Sequence, residues 1–110
     1  MKTFDDIEFL PHPHAAEGVQ GTLLLENGLK LSVVAGPTFY SGAGTYEIAL
    51  FEGNGEFVPL SPFDDVQGWM TPDEITFLLE DVQKDARGFM ERKVQERQEV
   101  RPLADHKDLD

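Results

Sequence analysis

His12 and His14 are the side chains with the plainest capacity for metal binding, because they stand two residues apart in an extended segment. Side chains two apart in an extended chain point to the same side, so both imidazoles are placed for one metal ion. A zinc site needs three or four ligands, and a third would have to come from a distant carboxylate or from His106. Pro11 and Pro13 explain the segment as a rigid arm. We therefore expect no metal site and no cofactor.

Asp64 and Asp65 are a carboxylate pair shortly before a predicted helix. Acid–base catalysis would need a nucleophile or a base beside them, and none is identifiable. Carboxylates at such a position more often make turn and capping hydrogen bonds. Gly42-Ala43-Gly44 has the composition of a phosphate-binding loop, but it leads into a strand, and no base lies between Lys30 and Lys84. We predict no catalytic residue and no enzyme activity.

Phe77 is the residue that most strongly suggests a binding surface. At 100° per residue along the predicted helix it points about 200° away from Ile75, which lies on the apolar stripe. Three acidic residues and one basic residue lie around Phe77 on that face, namely Asp73, Glu80, Asp81 and Lys84. A large aromatic ring inside a charged rim is typical of a protein-binding hot spot. The predicted protein-binding site consists of Phe77, Asp73, Glu80, Asp81, Asp64 and Asp65.

Other aromatic residues have alternative interpretations. In one alternative the N-terminal arm covers Phe77 with Phe4 or Phe9, and Phe77 is then a core residue. Trp69, the only tryptophan, closely precedes the predicted helix. Rings of this size are usually buried, so we predict that Trp69 lies in the core at the junction of helix and sheet, in preference to the alternative of a binding role.

The strongest secondary-structure signal is a helix over residues 72–100. Thr71 and Glu74 form a predicted capping box at its start, and Pro102 is expected to stop it. The apolar stripe of the helix has the 3.6-residue period of a core-facing surface. It consists of Ile75, Leu78, Leu79, Val82, Ala86 and Phe89.

Alternating apolar and polar residues predict an antiparallel sheet of about four strands over residues 22–60. Asn27-Gly28 is the favoured pair for a two-residue hairpin turn. Such a turn would place Leu24 opposite Leu31, with both side chains on the core face. The fold class is therefore α+β, with the sheet packed on one long C-terminal α-helix.

The organisation that follows is one acidic domain over residues 1–100. It comprises an irregular arm (1–20), the sheet (22–60) and the helix (72–100). Residues 101–110 are predicted to be a mobile tail. A chain of this length forms one modest core.

The charge is unevenly placed. The chain has 21 acidic and 9 basic residues and a net charge of −12. Residues 1–86 hold 15 acids and three bases, so the whole deficit lies there, whereas residues 87–110 hold six of each. A body with this much negative charge repels phosphate backbones and anionic lipid. Direct binding to nucleic acid or to a membrane is therefore not expected. The partner expected from charge is a basic surface of another protein.

Two absences bear on location. The chain contains no cysteine, which fits a reducing compartment. The N-terminus lacks the apolar segment of a signal peptide, and no apolar run approaches the roughly 20 residues of a membrane span. We expect the protein in the cytoplasm.

Several short motifs occur along residues 1–83. They are Pro11-His12, Asn27-Gly28, residues 32–36, Phe39-Tyr40, residues 45–50, and residues 64–69 followed by Thr71 and Glu74. Together they resemble a family of small, largely uncharacterised tailed-bacteriophage proteins. The family motifs carry no known chemistry, so the resemblance implies a phage origin and no particular activity. A phage origin makes the cytoplasm of a host cell the expected location and a basic surface of a host protein the expected partner. The charge-balanced extension from Arg87 onward is a departure from the family pattern.

The resemblance and the acidic body together suggest a function. We expect a non-enzymatic phage protein that inhibits a host nucleic-acid-acting or defence machine, with ordered carboxylates mimicking nucleic acid. One alternative is a self-associating adaptor or assembly protein, a homodimer formed through the C-terminal helix near Met90 and Val94. Another is a small-nucleotide trap or small enzyme, which the shortage of basic residues disfavours.

Overall fold

The computed structural model describes residues 1–108, with side chains described for residues 1–100. Within them the chain forms an antiparallel sheet followed by two helices, which confirms the α+β class. A short 3₁₀ helix (Phe4–Asp6) precedes the sheet. The strands are β1 (Leu10–Pro11), β2 (Val19–Leu24), β3 (Lys30–Ala35), β4 (Tyr46–Phe51), β5 (Phe57–Val58) and β6 (Val66–Met70). The helices are α1 (Pro72–Lys84) and α2 (Ala86–Asp108).

The sheet is a meander with a divided edge. Strands β1 to β4 pair in chain order, and the free side of β4 then pairs with β5 at one end and with β6 at the other. The core face carries the pairs Leu23–Leu31, Leu31–Leu50 and Val33–Ile48. The prediction of about four strands missed β1 and β6, which lie outside residues 22–60.

The hairpin between β2 and β3 has a longer turn than predicted. The N–H of Leu25 donates to the carbonyl of Leu29 at 2.8 Å, and Gly28 has a φ of +88°, which glycine adopts without strain. Leu24 therefore lies opposite Lys30 rather than Leu31, and its side chain is exposed. A shift of one residue exchanges the two faces of a strand, so the prediction that Leu24 faces the core is wrong.

The core lies between the sheet and the helices. Its fully buried side chains include those of the predicted stripe on α1, Ile75, Leu79 and Val82, together with Leu31, Val33, Ile48, Leu50 and Val58. The predicted capping box is present: the Glu74 N–H donates to the Thr71 hydroxyl, and the Thr71 N–H donates to the Glu74 carboxylate. The bond from the Thr71 N–H to the carboxylate lowers the pKa of Glu74 from its ordinary value, and the Thr71 side chain lowers it further.

The prediction of one long helix is wrong, because the chain leaves helical geometry at Asp85, where φ is −153° and ψ is 77°. The Asp85 carboxylate then accepts the N–H of Gly88 at 2.9 Å, which is the capping bond that begins a new helix. Arg92 donates to Asp81 at 3.0 Å across this break. In a continuous helix these residues would be roughly 16 Å apart along the axis, beyond the reach of their side chains.

The C-terminal end also differs from the expectation. The helix was expected to stop at Pro102, but α2 continues to Asp108. Residues 109–110 lie outside the described residues, and the mobility of 101–110 stays a prediction.

The N-terminal arm is more regular than predicted, since it contains the 3₁₀ helix and β1. It binds along α1: the Lys2 N–H donates to the Gln83 side chain at 2.9 Å, and the same side chain donates back to the Lys2 carbonyl at 2.7 Å. The Phe4 N–H donates to the Thr76 hydroxyl at 3.1 Å. These bonds fix the first residues beside the exposed face of α1.

Candidate functional site

Phe77 lies on the solvent side of α1 with 72% of its surface exposed. It lines a shallow concave surface together with Asp73, Thr76 and Glu80; we call these four residues the Phe77 patch. Helical spacing places them together, because positions three and four apart share a face. An exposed ring between two carboxylates is the arrangement that the sequence predicted for a binding site.

The N-terminal arm does not cover this ring. Phe4 and Phe9 pack instead against Tyr46, with ring centroids 5.1 Å and 5.3 Å from the Tyr46 ring. The arm makes a backbone hydrogen bond to Thr76, from the N–H of Phe4. The alternative that Phe77 is a core residue covered by Phe4 or Phe9 is therefore wrong.

The other predicted site residues are engaged elsewhere in the fold. Asp81 accepts two hydrogen bonds from Arg92, both at 3.0 Å. Asp64 and Asp65 lie in the loop before β6 and do not line the Phe77 patch. Of the six predicted residues, Asp73, Phe77 and Glu80 therefore belong to the Phe77 patch. Among the side chains of residues 1–100, the carboxylates of Asp81 and Asp65 pair with arginines of α2, and that of Asp64 does not.

Arg97 attaches α2 to the loop before β6. Its guanidinium donates to the carbonyls of Ser61 and Asp64, at 3.0 Å and 3.1 Å, and to the Asp65 carboxylate at 3.1 Å. The Asp64 carboxylate accepts the N–H groups of Asp65 and Val66. These aspartates therefore make turn and ion-pair contacts of a structural kind.

Arg97→Ala is expected to lower the free energy of unfolding by about 1–2 kcal/mol, because it leaves a half-buried carboxylate and two carbonyls without their donor. Urea denaturation measures this difference. The control is Arg87→Ala, which removes an exposed i,i+4 pair with Glu91 and should change stability by less than about 0.5 kcal/mol. Equal effects of the two substitutions would mean that Arg97 does not hold the loop.

The histidines have a local structural role. The Nδ1 atom of His12 accepts the N–H groups of His14 and Ala15, at 3.0 Å and 3.1 Å, and its ring lies 5.2 Å from that of Phe39. Within the part of the chain that the structure describes, no three His, Asp or Glu side chains are grouped to hold a metal ion. No helix among the described residues is both long and apolar enough to span a membrane.

Trp69 is a surface residue that the sequence reading missed. Its side chain is 61% exposed, and its φ is +51°, which is unusual for a bulky residue. The prediction that Trp69 is buried is wrong, because β6 has a β-bulge: Gly68 and Trp69 together lie opposite the single residue Glu47 of β4. The extra residue of a bulge interrupts the regular alternation of a strand, so a side chain at the bulge points in a different direction.

Tyr40 lies beside Trp69. Tyr40 is 56% exposed, and the two ring centroids are 5.4 Å apart with an angle of 42° between the rings. The Trp69 N–H donates to the Tyr40 carbonyl at 2.8 Å. No local sequence pattern identifies this pair, because the loop between β3 and β4 brings Tyr40 to β6 from 29 residues away in the chain.

Glu47 is a partly buried carboxylate on the same surface. Burial raises its pKa from the ordinary value, the charge of Asp64 raises it further, and a hydrogen bond with the Tyr40 backbone opposes both effects. A carboxylate in this setting is stabilised by any cation that reaches it. We call Tyr40, Trp69 and Glu47 the aromatic platform.

Comparisons of this chain with protein-family models, with curated proteins and with solved structures find no match. They do not bear on the resemblance to tailed-bacteriophage proteins.

Proposed function

We propose that this chain is a non-enzymatic, phage-encoded binding protein that inhibits a host nucleic-acid-acting or defence protein. It does so by placing the Phe77 patch and the surrounding carboxylates against a basic surface of that protein. The observation that carries the proposal is the exposure of Phe77 between Asp73 and Glu80 on a helix whose opposite side is fully buried. An apolar ring with a charged rim supplies both a contact of high affinity and electrostatic selectivity.

The charge of the folded body supports the same conclusion. Two of its three basic side chains make contacts elsewhere: Lys2 donates to the Leu24 carbonyl at 2.7 Å, and Lys30 lies over the Phe51 ring. The third, Lys84, lies on α1 one turn after Glu80. The acidic groups of the patch itself, Asp73 and Glu80, are on the surface of α1. Ordered carboxylates of this kind compete with phosphates for a basic groove and accelerate association with it.

The test is affinity capture from a host-cell lysate with the immobilised full chain, followed by assay of the retained protein. We expect a host protein that binds at about 50 mM salt and elutes at about 500 mM, as screening shortens the range of charge attraction. Phe77→Ala should reduce its retention roughly tenfold or more, the effect of losing a hot-spot ring. The purified partner should lose activity on its nucleic acid when the chain is added.

The control is Phe57→Ala, which removes another exposed aromatic side chain, on β5 and away from α1. It should leave retention unchanged. If the two variants retained the partner equally, the Phe77 patch would not be the binding surface. If retention were insensitive to salt, the acidic body would not contribute.

A second candidate is self-association through α2. Val94 is exposed and lines a shallow groove with Met90, Glu91, Gln95 and Gln98, a surface of mixed character suited to a second copy of the helix. Sedimentation equilibrium over a wide concentration range tests it. A dimer that Val94→Glu converts to a monomer would support the adaptor function, and a monomer at every concentration would reject it.

A further inference from the structure

The aromatic platform presents two rings on a fixed backbone. The bond between the Trp69 N–H and the Tyr40 carbonyl joins β6 to the loop after β3. Gly68 permits the close approach of these segments, since a Cβ there would lie 2.3 Å from the Tyr40 Cβ. More than half of each aromatic side chain is nevertheless exposed. Two large apolar rings are thus held at the surface, where they do not serve the core.

A carboxylate without a cation completes this surface. Glu47 lies opposite the bulge that carries Trp69. Among the side chains of residues 1–100, no Lys, Arg or His forms an ion pair with Glu47. Burial and the nearby charge of Asp64 both oppose its ionisation. A cation placed here would remove that penalty and would also contact the electron-rich faces of the rings.

We propose that Tyr40, Trp69 and Glu47 bind an arginine side chain from a flexible basic segment of another protein. A guanidinium is planar, so it stacks on an aromatic ring while its N–H groups donate to a carboxylate. A lysine ammonium makes the charge contact but not the stacked one. The proposal concerns a surface separate from the Phe77 patch, and its truth does not depend on the inhibitory function.

Charge distinguishes this ligand from others that stack on aromatic rings. Single-stranded nucleic acid also stacks on such rings, but its binding requires basic residues along the backbone path. The sequence has no Lys or Arg between Lys30 and Lys84, the segment that supplies all three platform residues. A neutral sugar stacks as well, and its hydroxyl groups can donate to Glu47, but it brings no positive charge to offset the burial of that carboxylate.

The test uses the fluorescence of Trp69, which is the only tryptophan in the chain. The full chain is titrated with acetyl-Gly-Arg-Gly-amide and with the same peptide carrying citrulline, a neutral residue of nearly the same shape. We expect a saturable change in emission for the arginine peptide and at least about fivefold weaker binding for the citrulline peptide. Equal responses to both peptides would overturn the proposal. So would saturable binding of an oligothymidylate or a neutral maltooligosaccharide in place of the arginine peptide.

Variants assign the response to the platform. Tyr40→Ala removes one ring while keeping the Cβ that packs on Gly68, and Glu47→Gln removes the charge while keeping an acceptor for the Tyr40 backbone. Each substitution should weaken the binding of the arginine peptide by about threefold or more. Phe77→Ala should leave the titration unchanged, so a failure of the inhibitory function and a failure of this site are distinguishable. An unchanged titration in both platform variants would overturn the proposal.

Discussion

Leu79→Ala is expected to lower the free energy of unfolding by about 2–5 kcal/mol, the range for deleting a leucine side chain from a closely packed core. Leu79 has no exposed surface and lies on the buried stripe of α1 between Ile75 and Val82. The substitution removes three carbon atoms and leaves a cavity that the sheet can fill only in part. Urea denaturation, with the slope compared between variants, measures the difference.

Phe77→Ala is the matched control, because Phe77 lies two residues earlier on the same helix and its side chain is exposed. It should change the free energy of unfolding by less than about 0.5 kcal/mol. The two substitutions therefore distinguish a residue needed for folding from a residue available for binding on the same helix. Leu79 contributes to stability, and Phe77 is available to a partner. If Phe77→Ala were as destabilising as Leu79→Ala, Phe77 would be a core residue and the proposed binding patch would be lost.

The sequence predicts α1 well because its signals are local and agree with one another. The stripe of Ile75, Leu79 and Val82 has a single period, and Thr71 and Glu74 mark the start of the helix within one turn. Phe77 follows as an outward residue from the same geometry. The central part of the candidate binding surface could thus be predicted without any tertiary information.

Other features depend on contacts between distant segments. The exposure of Trp69 results from a bulge opposite Glu47 and from the approach of Tyr40, neither of which has a local signature. The break at Asp85 does have a local signature in the sequence. Asp85 stands three residues before Gly88, which is the spacing between an N-cap residue and the N–H that it accepts. The continuous apolar stripe through Phe89 concealed it, because the stripe fits one helix or two.

The contacts that the charged residues make also depend on the fold and could not be predicted from the sequence. The sequence assigns no role to the charge-balanced extension. In the structure two of its arginines turn back to the acidic body, where Arg92 pairs with Asp81 and Arg97 with Asp65. These contacts leave Asp73 and Glu80 as the carboxylates beside Phe77, so α2 reduces the acidic surface near the loop and leaves the Phe77 patch accessible.

Gly68→Ala is expected to lower the free energy of unfolding by about 2–3 kcal/mol, as a methyl group forced into filled space does. An added Cβ would lie 2.3 Å from the Tyr40 Cβ and 2.6 Å from the Tyr40 carbonyl oxygen. The oxygen belongs to the backbone and accepts the Trp69 N–H, so it cannot move aside as the end of a flexible side chain would. The steric clash can be relieved only if the loop that contains Tyr40 moves away from β6, and this movement breaks the hydrogen bond. Urea denaturation measures the loss of stability.

Gly53→Ala is the control for this substitution, because the atom nearest to a Cβ there is 3.8 Å away. It should change stability by less than about 0.5 kcal/mol. The emission of Trp69 gives a second readout: it should change in Gly68→Ala, where the neighbouring ring is displaced, and stay constant in Gly53→Ala. If Gly68→Ala folded with unchanged stability and unchanged emission, Tyr40 would not pack on β6. The aromatic platform would then lack the fixed backbone on which arginine recognition depends.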